Sequence, residues 1–389
     1  MANGYCPALL RHVTEVANGN SGVGKIHVAG FLKMLFCCQN SSVNPINDGY
    51  QSNSHRKTLT VSYRQRPTEA HVQDTDDCDI NRIPTKAEWT LPSLLHKQTT
   101  FFISDSEIQQ YCDEASRSVS IGLPATAMMQ EHYSLFLEHA NILLKTINDE
   151  LVTEMSTQFG KNVTTNSEFA KAINIDRNGQ TLNLNNGIIE MMNDLRENEI
   201  CEDPCMVGGG IMASYDMVKM AQGLSQAGID ASRLPIPSFW YDKATQNIWG
   251  TDSEGVFAKG SVKFLSYNKY LGAFAGQKGQ SIFFTVAFPV NEFTGCPDML
   301  ECLRDLRLDV QMKYIDCPTV VDVNGTPTTV NRGWQVILSK EFQLWVQPST
   351  TNEFAAGDPL YQTNGTLLYE ISNNCEDCDS PEGSYGTGY

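Results

Sequence analysis

The chain has 389 residues, of which 41% are hydrophobic, so it can bury a substantial core and is not a disordered protein. Its length predicts two or three compact regions, or one core with large insertions. The formal net charge of −17 disfavours a broad electropositive surface for gripping phosphates. No apolar run approaches the ~20 residues that span a bilayer, and no secretory signal pattern follows Met1. We therefore expect a soluble protein made in the cytosol, away from membranes, with most of its twelve cysteines reduced.

Residues 1–45 are predicted to form a partly helical N-terminal arm. Within it, the sequence GNSGVGK at Gly19–Lys25 fits the glycine-rich phosphate loop up to its last position. Ile26 stands where a magnesium-binding hydroxyl is needed, and the lead-in at residues 9–17 does not resemble a buried strand. We interpret the run as a loop of the arm. A nucleotide-binding enzyme that uses Gly19–Lys25 is the alternative function from another class.

A basic hairpin is predicted next. Leu59, Val61 and Tyr63 alternate with polar residues and predict a strand that Pro67 ends, with a return strand at residues 70–72. The segment is unusually basic for an acidic protein. Its basic residues are His55, Arg56, Lys57, Arg64 and Arg66.

A further strand is predicted at residues 98–103. Ser104-Asp105 then offers an N-cap to a short helix at residues 107–115.

The strongest pattern in the chain is an apolar stripe over residues 127–159, with steps of three and four residues. It predicts one helix of roughly 50 Å at ~1.5 Å per residue. Thr126 can cap its start and Gly160 can end it. A coiled coil is the alternative, but the stripe does not hold a strict heptad. The stripe consists of Met129, Tyr133, Phe136, Ala140, Leu143, Ile147, Leu151, Met155 and Phe159.

The cluster Gly208-Gly209-Gly210, with Ala213, mimics a dinucleotide-binding fingerprint, and Asp230 falls about twenty residues further on. The strand before the cluster would be short, and Pro204 suits a central parallel strand poorly. We interpret the cluster as a strand-to-helix turn before a helix at residues 215–224.

No constellation of side chains predicts catalysis or metal binding. Cys375 and Cys378 form a single Cys-x-x-Cys pair without further ligands. His132 and His139 lie seven residues apart on the predicted helix, where we expect a solvated face. We therefore expect no enzymatic activity, no cofactor, no metal ion and no catalytic residue.

The second half of the chain mixes strands and helices. A hairpin is expected around Asn178-Gly179, a helix at residues 188–197, and buried strands at 239–241 and 281–290. Later, alternating apolar residues at 334–338 and 342–346 predict two strands joined by a short link at Ser339-Lys340. Asn364-Gly365 precedes a last strand at 367–369. The predicted fold class is α+β, without internal repeats.

Charge is distributed unevenly, because no basic residue follows Lys340. The residues after it include eight acidic ones: Glu341, Glu353, Asp358, Glu370, Glu376, Asp377, Asp379 and Glu382. One interpretation is a solvated acidic tail. The other is that the basic hairpin docks on an acidic face of another copy, with Arg56, Lys57, Arg64, Arg66, Glu353 and Asp358 as candidate contact residues.

The order of arm, hairpin, long helix and returning sheet resembles the major capsid proteins of tailed bacteriophages with the Hong Kong 97-type fold. Several segments are also similar to that family in their amino-acid sequence. They are Thr58–Tyr63 before an Arg-Pro, Phe101–Asp105, Met206–Gly210, Gly333–Leu338 with Val346–Pro348, and Asn364–Tyr369.

The resemblance implies an N-terminal arm at residues 1–45, an extended loop at 46–84 and a peripheral domain at 85–164 with its spine helix at 127–159. It further implies an axial domain at 165–300. Residues 301–389 would return to the sheet and end in an acidic tail.

The resemblance also implies a function and partners. Many copies, as hexamers and pentamers, would build an icosahedral shell in the host cytoplasm, and the chain would reside in the virion. The shell would enclose double-stranded DNA without sequence-specific binding. The hairpin begins near residue 50, which leaves little room for a built-in scaffolding segment, so a separate scaffolding protein is implied, with portal and auxiliary capsid proteins. An encapsulin-like nanocompartment shell is the alternative of similar fold.

Overall fold

The structure, a computed structural model, describes residues 28–38, 59–64, 86–91, 94–107, 127–159, 171–174, 177–178, 181–182, 204–209, 238–250, 253–270, 276–279, 281–287, 303, 306–316, 319–323, 326–330, 332–346 and 365–372. Within these ranges the helices are α1 (Gly30–Cys37), α2 (Ala127–Ser156) and α3 (Lys243–Ile248). The strands are β1 (Leu59–Arg64), β2 (Lys86–Leu91), β3 (Leu95–Ser104), β4 (Lys171–Asn174), β5 (Arg177–Asn178), β6 (Thr181–Leu182), β7 (Cys205–Gly208), β8 (Ser238–Tyr241), β9 (Ser253–Phe257), β10 (Val262–Tyr267), β11 (Gly276–Lys278), β12 (Ser281–Ala287), β13 (Arg307–Ile315), β14 (Thr319–Val323), β15 (Thr326–Val330), β16 (Gly333–Val346) and β17 (Thr366–Ser372). The predicted α+β class is confirmed.

The larger sheet is antiparallel and is organised around the 14-residue strand β16. Strand β3 pairs along one edge of β16. On the other edge, β13 pairs with the first half of β16 and β10 with the second half. Strands β12 and β11 extend the sheet beyond β13. The first half of β16 therefore lies between two partners.

Strand β16 is continuous, so the prediction of two strands with a link at Ser339-Lys340 is wrong. The physical reason is that the apolar alternation does not change phase at the link. Leu338, Lys340 and Phe342 all have even numbers, so they point to the same face of the sheet. All three are buried. A lysine thus occupies a core position.

Helix α2 packs across the sheet made by β3 and β16. Its 30 residues correspond to ~45 Å, and it ends at Ser156, three residues before the predicted end. Within the stripe, Phe136, Ala140, Leu143, Ile147, Leu151 and Met155 are buried, as predicted. The buried face is wider than one stripe, because Leu137, Leu144, Asn148 and Val152 are buried as well.

The smaller sheet has the strand order β4-β17-β9-β7-β8. It mixes parallel pairs, β4 with β17 and β7 with β8, with antiparallel ones. The strand predicted at 239–241 is confirmed as β8, but it is not fully buried, because Tyr241 is 51% exposed. The strand predicted at 281–290 is confirmed as β12, which ends at Ala287.

Among the described strands, three hairpins form two-stranded sheets of their own: β1–β2, β5–β6 and β14–β15. The first confirms the strand predicted at residues 59–63, but its return strand is Lys86–Leu91. The described partner of β1 is thus a later segment than residues 70–72, which lie outside the described ranges. Strands β5 and β6 confirm the hairpin around Asn178-Gly179.

Strand β3 confirms the prediction for residues 98–103 and ends in the predicted N-cap. Ser104 Oγ accepts a hydrogen bond from Glu107 N at 3.3 Å, and Glu107 Oε2 accepts one from Ser104 N at 2.7 Å. This reciprocal pair is a capping box. Residues 105–107 are helical, and the rest of the helix predicted at 107–115 falls outside the described ranges, as do the helices predicted at 188–197 and 215–224.

Candidate functional site

The predicted contact residues of the basic hairpin are only partly described. Arg64 ends β1 and pairs in register with Lys86, so two basic residues occupy directly opposite positions. Like charges at such positions destabilise a hairpin, and an acidic partner surface would relieve this. Arg56, Lys57, Arg66, Glu353 and Asp358, like the Gly19–Lys25 run, lie outside the described residues. Docking of the hairpin on an acidic face therefore stays a prediction.

A buried polar network holds the start of α1; we call it the N-terminal junction, formed by Phe31, Leu32, Asn148 and Asp242. The Phe31 N–H donates to Asp242 Oδ2 at 2.8 Å, and the Leu32 N–H donates to Asn148 Oδ1 at 3.0 Å. Asn148 Nδ2 donates to the same Asp242 oxygen at 2.9 Å. The first N–H groups of a helix have no partner within the helix. Side chains from α2 and from the start of α3 therefore supply these partners.

Asp242 also caps α3, because its Oδ1 accepts a hydrogen bond from Ala244 N at 2.9 Å. Its carboxylate thus receives N–H groups at the starts of two helices, where the helix dipole favours negative charge. Gly30 allows this approach, since a Cβ there would overlap the carbonyl oxygen of Tyr241. The junction consequently fixes α1 to both α2 and α3.

Aromatic rings cover the junction. Phe31 packs edge-on against Trp249 and Phe257, with ring centroids 5.8 and 5.9 Å apart. Trp249 Nε1 donates to the carbonyl oxygen of Val152 in α2 at 2.9 Å. These contacts exclude water from the junction, which strengthens its hydrogen bonds and makes an unpaired group there costly.

A disulfide fixes the other end of α1. Cys38, directly after the helix, bridges Cys205 at the start of β7, with the two Cα atoms 6.0 Å apart and a sequence separation of 167. The expectation of reduced cysteines fails for this pair, because the fold brings together two thiols that the sequence separates widely. In the chain-entropy model, closing so long a loop stabilises the folded state by up to ~5 kcal/mol.

The glycine cluster serves close packing. Gly208 ends β7, and the carboxylate of Glu254 occupies the place where a Cβ would be. Gly209 lies against the side chain of Gln246, whose Nε2 donates to the Gly209 carbonyl. A carboxylate beside Gly208 repels a phosphate. The strand and turn predicted here are confirmed as far as Gly209, and the described residues offer no phosphate cradle at this place.

The second buried polar site surrounds Lys340; we call it the lysine cluster, formed by Asn268, Asp309 and Lys340. Lys340 is 1% exposed, and its Nζ donates to Asn268 Oδ1 at 2.6 Å. The carboxylate of Asp309, fully buried, accepts hydrogen bonds from Lys269 N at 2.8 Å and Thr285 Oγ1 at 2.6 Å. The cluster lies where β10 ends beside β16 and where β13 pairs with it.

Burial controls the protonation of Lys340. Removal from water lowers the pKa of its amine from 10.5 to about 7, the Asp309 carboxylate opposes this, and Arg307 adds to the lowering. A lysine with such a pKa is largely uncharged just above neutral pH. Perturbed, buried amines of this kind are nucleophiles.

His139 does not lie on a solvated helix face, so that prediction is wrong. Its Nδ1 is hydrogen-bonded to Thr99 Oγ1 at 2.7 Å, and its ring packs on Phe101 with centroids 4.7 Å apart. Burial lowers its pKa, against the attraction of Glu138. The residue belongs to the contact between α2 and β3. The side chain of His132 lies outside the described part of the helix.

Across the described ranges, no group of three or more His, Cys, Asp or Glu side chains could hold a metal ion. None of the helices described is long and apolar enough to cross a membrane. Among the residues with described side chains, three large apolar ones are exposed: Ile142 at 58%, Tyr241 at 51% and Val320 at 65%. They come from three different elements.

Comparison with known proteins gives a consistent but weak likeness. No protein-family model matches the chain, and no curated protein does. Among solved structures, the cyanophage A-1(L) capsid asymmetric unit is 10% identical, with 90% of this chain and 95% of that chain covered and a TM-score of 0.41. The capsid structure of cyanophage P-SCSP1u is 10% identical, with 82% and 85% covered and a TM-score of 0.39.

A virus-like particle from Pyrococcus furiosus is 8% identical, with 93% of this chain and 98% of that chain covered and a TM-score of 0.37. Phage capsid structures recur among the similar structures. At these TM-scores the likeness carries no argument. The interpretation of the chain therefore depends on its own residues and their contacts.

Proposed function

We propose that this protein is the major capsid protein of a tailed bacteriophage and assembles into the icosahedral shell of the head. The observation that carries the proposal is the arrangement of four parts in chain order. A clamped N-terminal helix comes first, and a hairpin outside both larger sheets comes second. A 30-residue helix lying across an antiparallel sheet follows, with a separate mixed sheet. This is the order of parts that the resemblance to capsid proteins implies.

The hairpin β1–β2 gives a physical reason for assembly. Among the described strands, β1 and β2 pair only with each other. A two-stranded hairpin by itself is marginally stable in water. Its first strand alternates apolar and polar residues, as a strand with one covered face does. A neighbouring copy would provide that cover, and this hairpin would act as the extended loop between subunits.

The remaining parts fit roles in a shell. In this proposal residues 1–45 are the arm, and the extended loop of residues 46–84 continues to Leu91 through its return strand. The rest of the predicted peripheral domain at residues 85–164, from residue 92 onwards, contains α2 as a stiff beam. Residues 165–300 form the axial domain, and residues 301–389 return to the sheet. Hexamers and pentamers of the chain enclose double-stranded DNA, with separate scaffolding, portal and auxiliary proteins. The net charge of −17 suits an inner surface that does not hold the genome tightly.

Particle formation tests the proposal. The full chain is expressed alone and with its scaffolding protein, and the purified material is examined by negative-stain microscopy and by light scattering coupled to size exclusion. We expect closed shells of uniform diameter. A monomer that persists at high concentration in both preparations contradicts the proposal.

The hairpin's role has its own matched variants. Replacing the apolar Val61 and Tyr63 of β1 with Ser should abolish shells while leaving a folded subunit. Replacing their polar neighbours Thr60 and Ser62 with Ala should leave shells intact. Equal assembly by both variants contradicts a covering role for neighbouring copies.

A further inference from the structure

We propose that Glu154 of α2 and Gln343 of β16 form a proton-dependent contact, in which a protonated carboxyl group and a carboxamide exchange two hydrogen bonds. We call this pair the acid–amide pair. One of its hydrogen bonds is already present, because Gln343 Nε2 donates to Glu154 Oε1 at 2.6 Å. The pair belongs to the fold of the single chain, so its test does not depend on shell formation.

Two buried oxygens mark the place of the second hydrogen bond. Glu154 Oε2 and Gln343 Oε1 are both buried, and neither has a hydrogen-bond partner in the part of the chain that the structure describes. Each oxygen belongs to the same planar group as one atom of the existing hydrogen bond. Buried acceptors without a donor are rare and costly in folded proteins. A proton on Oε2 supplies the missing donor and satisfies both oxygens at once.

Either orientation of the Gln343 amide leads to the same conclusion. The nitrogen and the oxygen of a carboxamide exchange places when the group rotates by half a turn. In the rotated orientation an oxygen would lie 2.6 Å from Glu154 Oε1. Two oxygens approach so closely only when a hydrogen lies between them. The terminal torsions of Glu and Gln are soft, so a small rotation suffices to align the second hydrogen bond.

The edge of the larger sheet provides the setting for the pair. Strand β3 pairs with β16 as far as Leu95 opposite Phe342. Gln343 and Leu344 therefore have no residue of β3 beside them, and α2 brings Glu154 to this place. Gln343 is 3% exposed, so water hardly competes for its amide. The pair thus attaches the last turns of α2 to β16 where the sheet loses one of its strands.

The surroundings of Glu154 favour its protonated form. Burial raises the pKa of its carboxyl group, and the charge of Glu150, one turn earlier in α2, raises it further. From β3, Lys97 forms an ion pair with Glu150 and partly offsets that charge. Hydrogen bonding to three uncharged neighbours lowers the pKa without cancelling the rise: the N–H of Leu344 and the amides of Gln343 and Gln158.

The attachment of α2 to β16 consequently depends on pH. Below the folded-state pKa of Glu154 the pair has two hydrogen bonds. Above it, the ionised Oε2 lies buried beside another acceptor. Because the folded pKa lies above the ordinary value of 4.5, the folded chain binds more protons between these values, and its stability falls as the pH rises. Each pKa unit of difference corresponds to a tenfold change in the unfolding equilibrium constant.

The variant Glu154→Gln tests the proposal in the full chain. Its amide supplies the donor and the acceptor of a protonated carboxyl group at every pH, so both hydrogen bonds persist without titration. Urea midpoints of the wild type and the variant are compared at pH 5.5 and pH 8. We expect the variant to unfold at a higher urea concentration at pH 8, and we expect this advantage to shrink at pH 5.5.

Difference infrared spectroscopy reads the proton directly. During an acid titration, the spectrum of the wild type minus that of Glu154→Gln should show the carbonyl band of one protonated carboxyl group, with a midpoint above pH 4.5. Glu150→Gln is the matched control, because it removes the same charge from the same helix outside the pair. It should keep the band and shift its midpoint to lower pH, since a like charge is gone.

Several outcomes overturn the proposal. A Glu154→Gln chain that fails to fold, or that unfolds at less urea than the wild type at pH 8, contradicts it, because a mimic of the protonated form keeps every hydrogen bond of the pair. An advantage of equal size at both pH values also contradicts it. A carboxyl band that titrates at or below pH 4.5 would show that Glu154 is an ordinary ionised glutamate, and this result needs no comparison of stabilities.

Discussion

The N-terminal junction and the lysine cluster bury polar groups equally deeply but satisfy them differently. At the junction, the Asp242 carboxylate accepts hydrogen bonds from Phe31 N, Ala244 N and Asn148 Nδ2. At the lysine cluster, the amine of Lys340 donates to Asn268, and its burial lowers its pKa. A carboxylate that accepts hydrogen bonds from N–H groups at the starts of two helices holds those helices together. An amine buried with fewer compensating contacts loses its proton more readily than an exposed lysine does.

The largest effect expected from this comparison comes from removing the Asp242 carboxylate. Asp242→Ala leaves two helical N–H groups and the Asn148 amide unpaired in the core. We expect the free energy of unfolding to fall by about 3–5 kcal/mol, because breaking a buried, hydrogen-bonded charged network costs that much. Urea unfolding of the assembly-free subunit, followed by circular dichroism, measures it.

The adjacent exposed residue provides the control for that prediction. Lys243→Ala changes the next position of the same helix start, so its effect should stay within about 0.5 kcal/mol. If both variants unfold at the same urea concentration, the hydrogen bonds of Asp242 do not stabilise the fold. The contrast between the two buried sites would then disappear.

A smaller effect sharpens the comparison from the side of the lysine. Asn268→Ala removes the hydrogen-bond acceptor of the Lys340 amine and leaves that amine in the core, where it can titrate. The folded pKa, about 7, is below the ordinary value of 10.5, so between these values the unfolded chain binds more protons. The stability of this variant should therefore rise with pH across that window, by roughly 1.4 kcal/mol per pH unit from this group.

The double variant Asn268→Ala with Lys340→Met isolates this contribution. It has no amine at the site, so the extra slope should vanish. Urea midpoints at pH 7.5 and pH 9 suffice for the measurement. Equal slopes for the single and double variants would mean that Lys340 keeps its proton when folded.

The sequence was sufficient for those elements whose side chains repeat with a regular period. The stripe from Phe136 to Met155 predicts α2, and alternation predicts β1 and both halves of β16. The same rule could have located the lysine cluster, because Lys340 falls on the apolar phase of β16. The sequence pattern predicts a break there instead, because a lysine normally ends a run of buried apolar residues. The return strand β2 was missed because hairpin partners are usually close in sequence, whereas here 21 residues, 65–85, separate the strands.

The two buried sites could not be predicted because their partners are distant along the chain. Asn148 and Asp242 are separated by 94 residues, Lys340 and Asn268 by 72, and Cys38 and Cys205 by 167. Each residue taken alone is ordinary. Only the packing of α1 against α2 and the pairing of β10 with β16 gives these residues a role, and no local pattern encodes those contacts.

The smallest effect expected concerns an ion pair that lies outside both buried sites. Lys97 Nζ and Glu150 Oε2 lie 2.8 Å apart between β3 and α2, with 31% and 39% of their side chains exposed. Water screens the attraction and ordering two long side chains costs entropy, so the coupling free energy should be only ~0.2–1 kcal/mol. A double-mutant cycle of Lys97→Ala and Glu150→Ala, read by urea unfolding at low and high salt, measures it. A coupling free energy above 2 kcal/mol that does not change with salt would contradict this prediction. It would mean that this exposed pair is as strongly coupled as the buried sites, so burial would not be the property that distinguishes them.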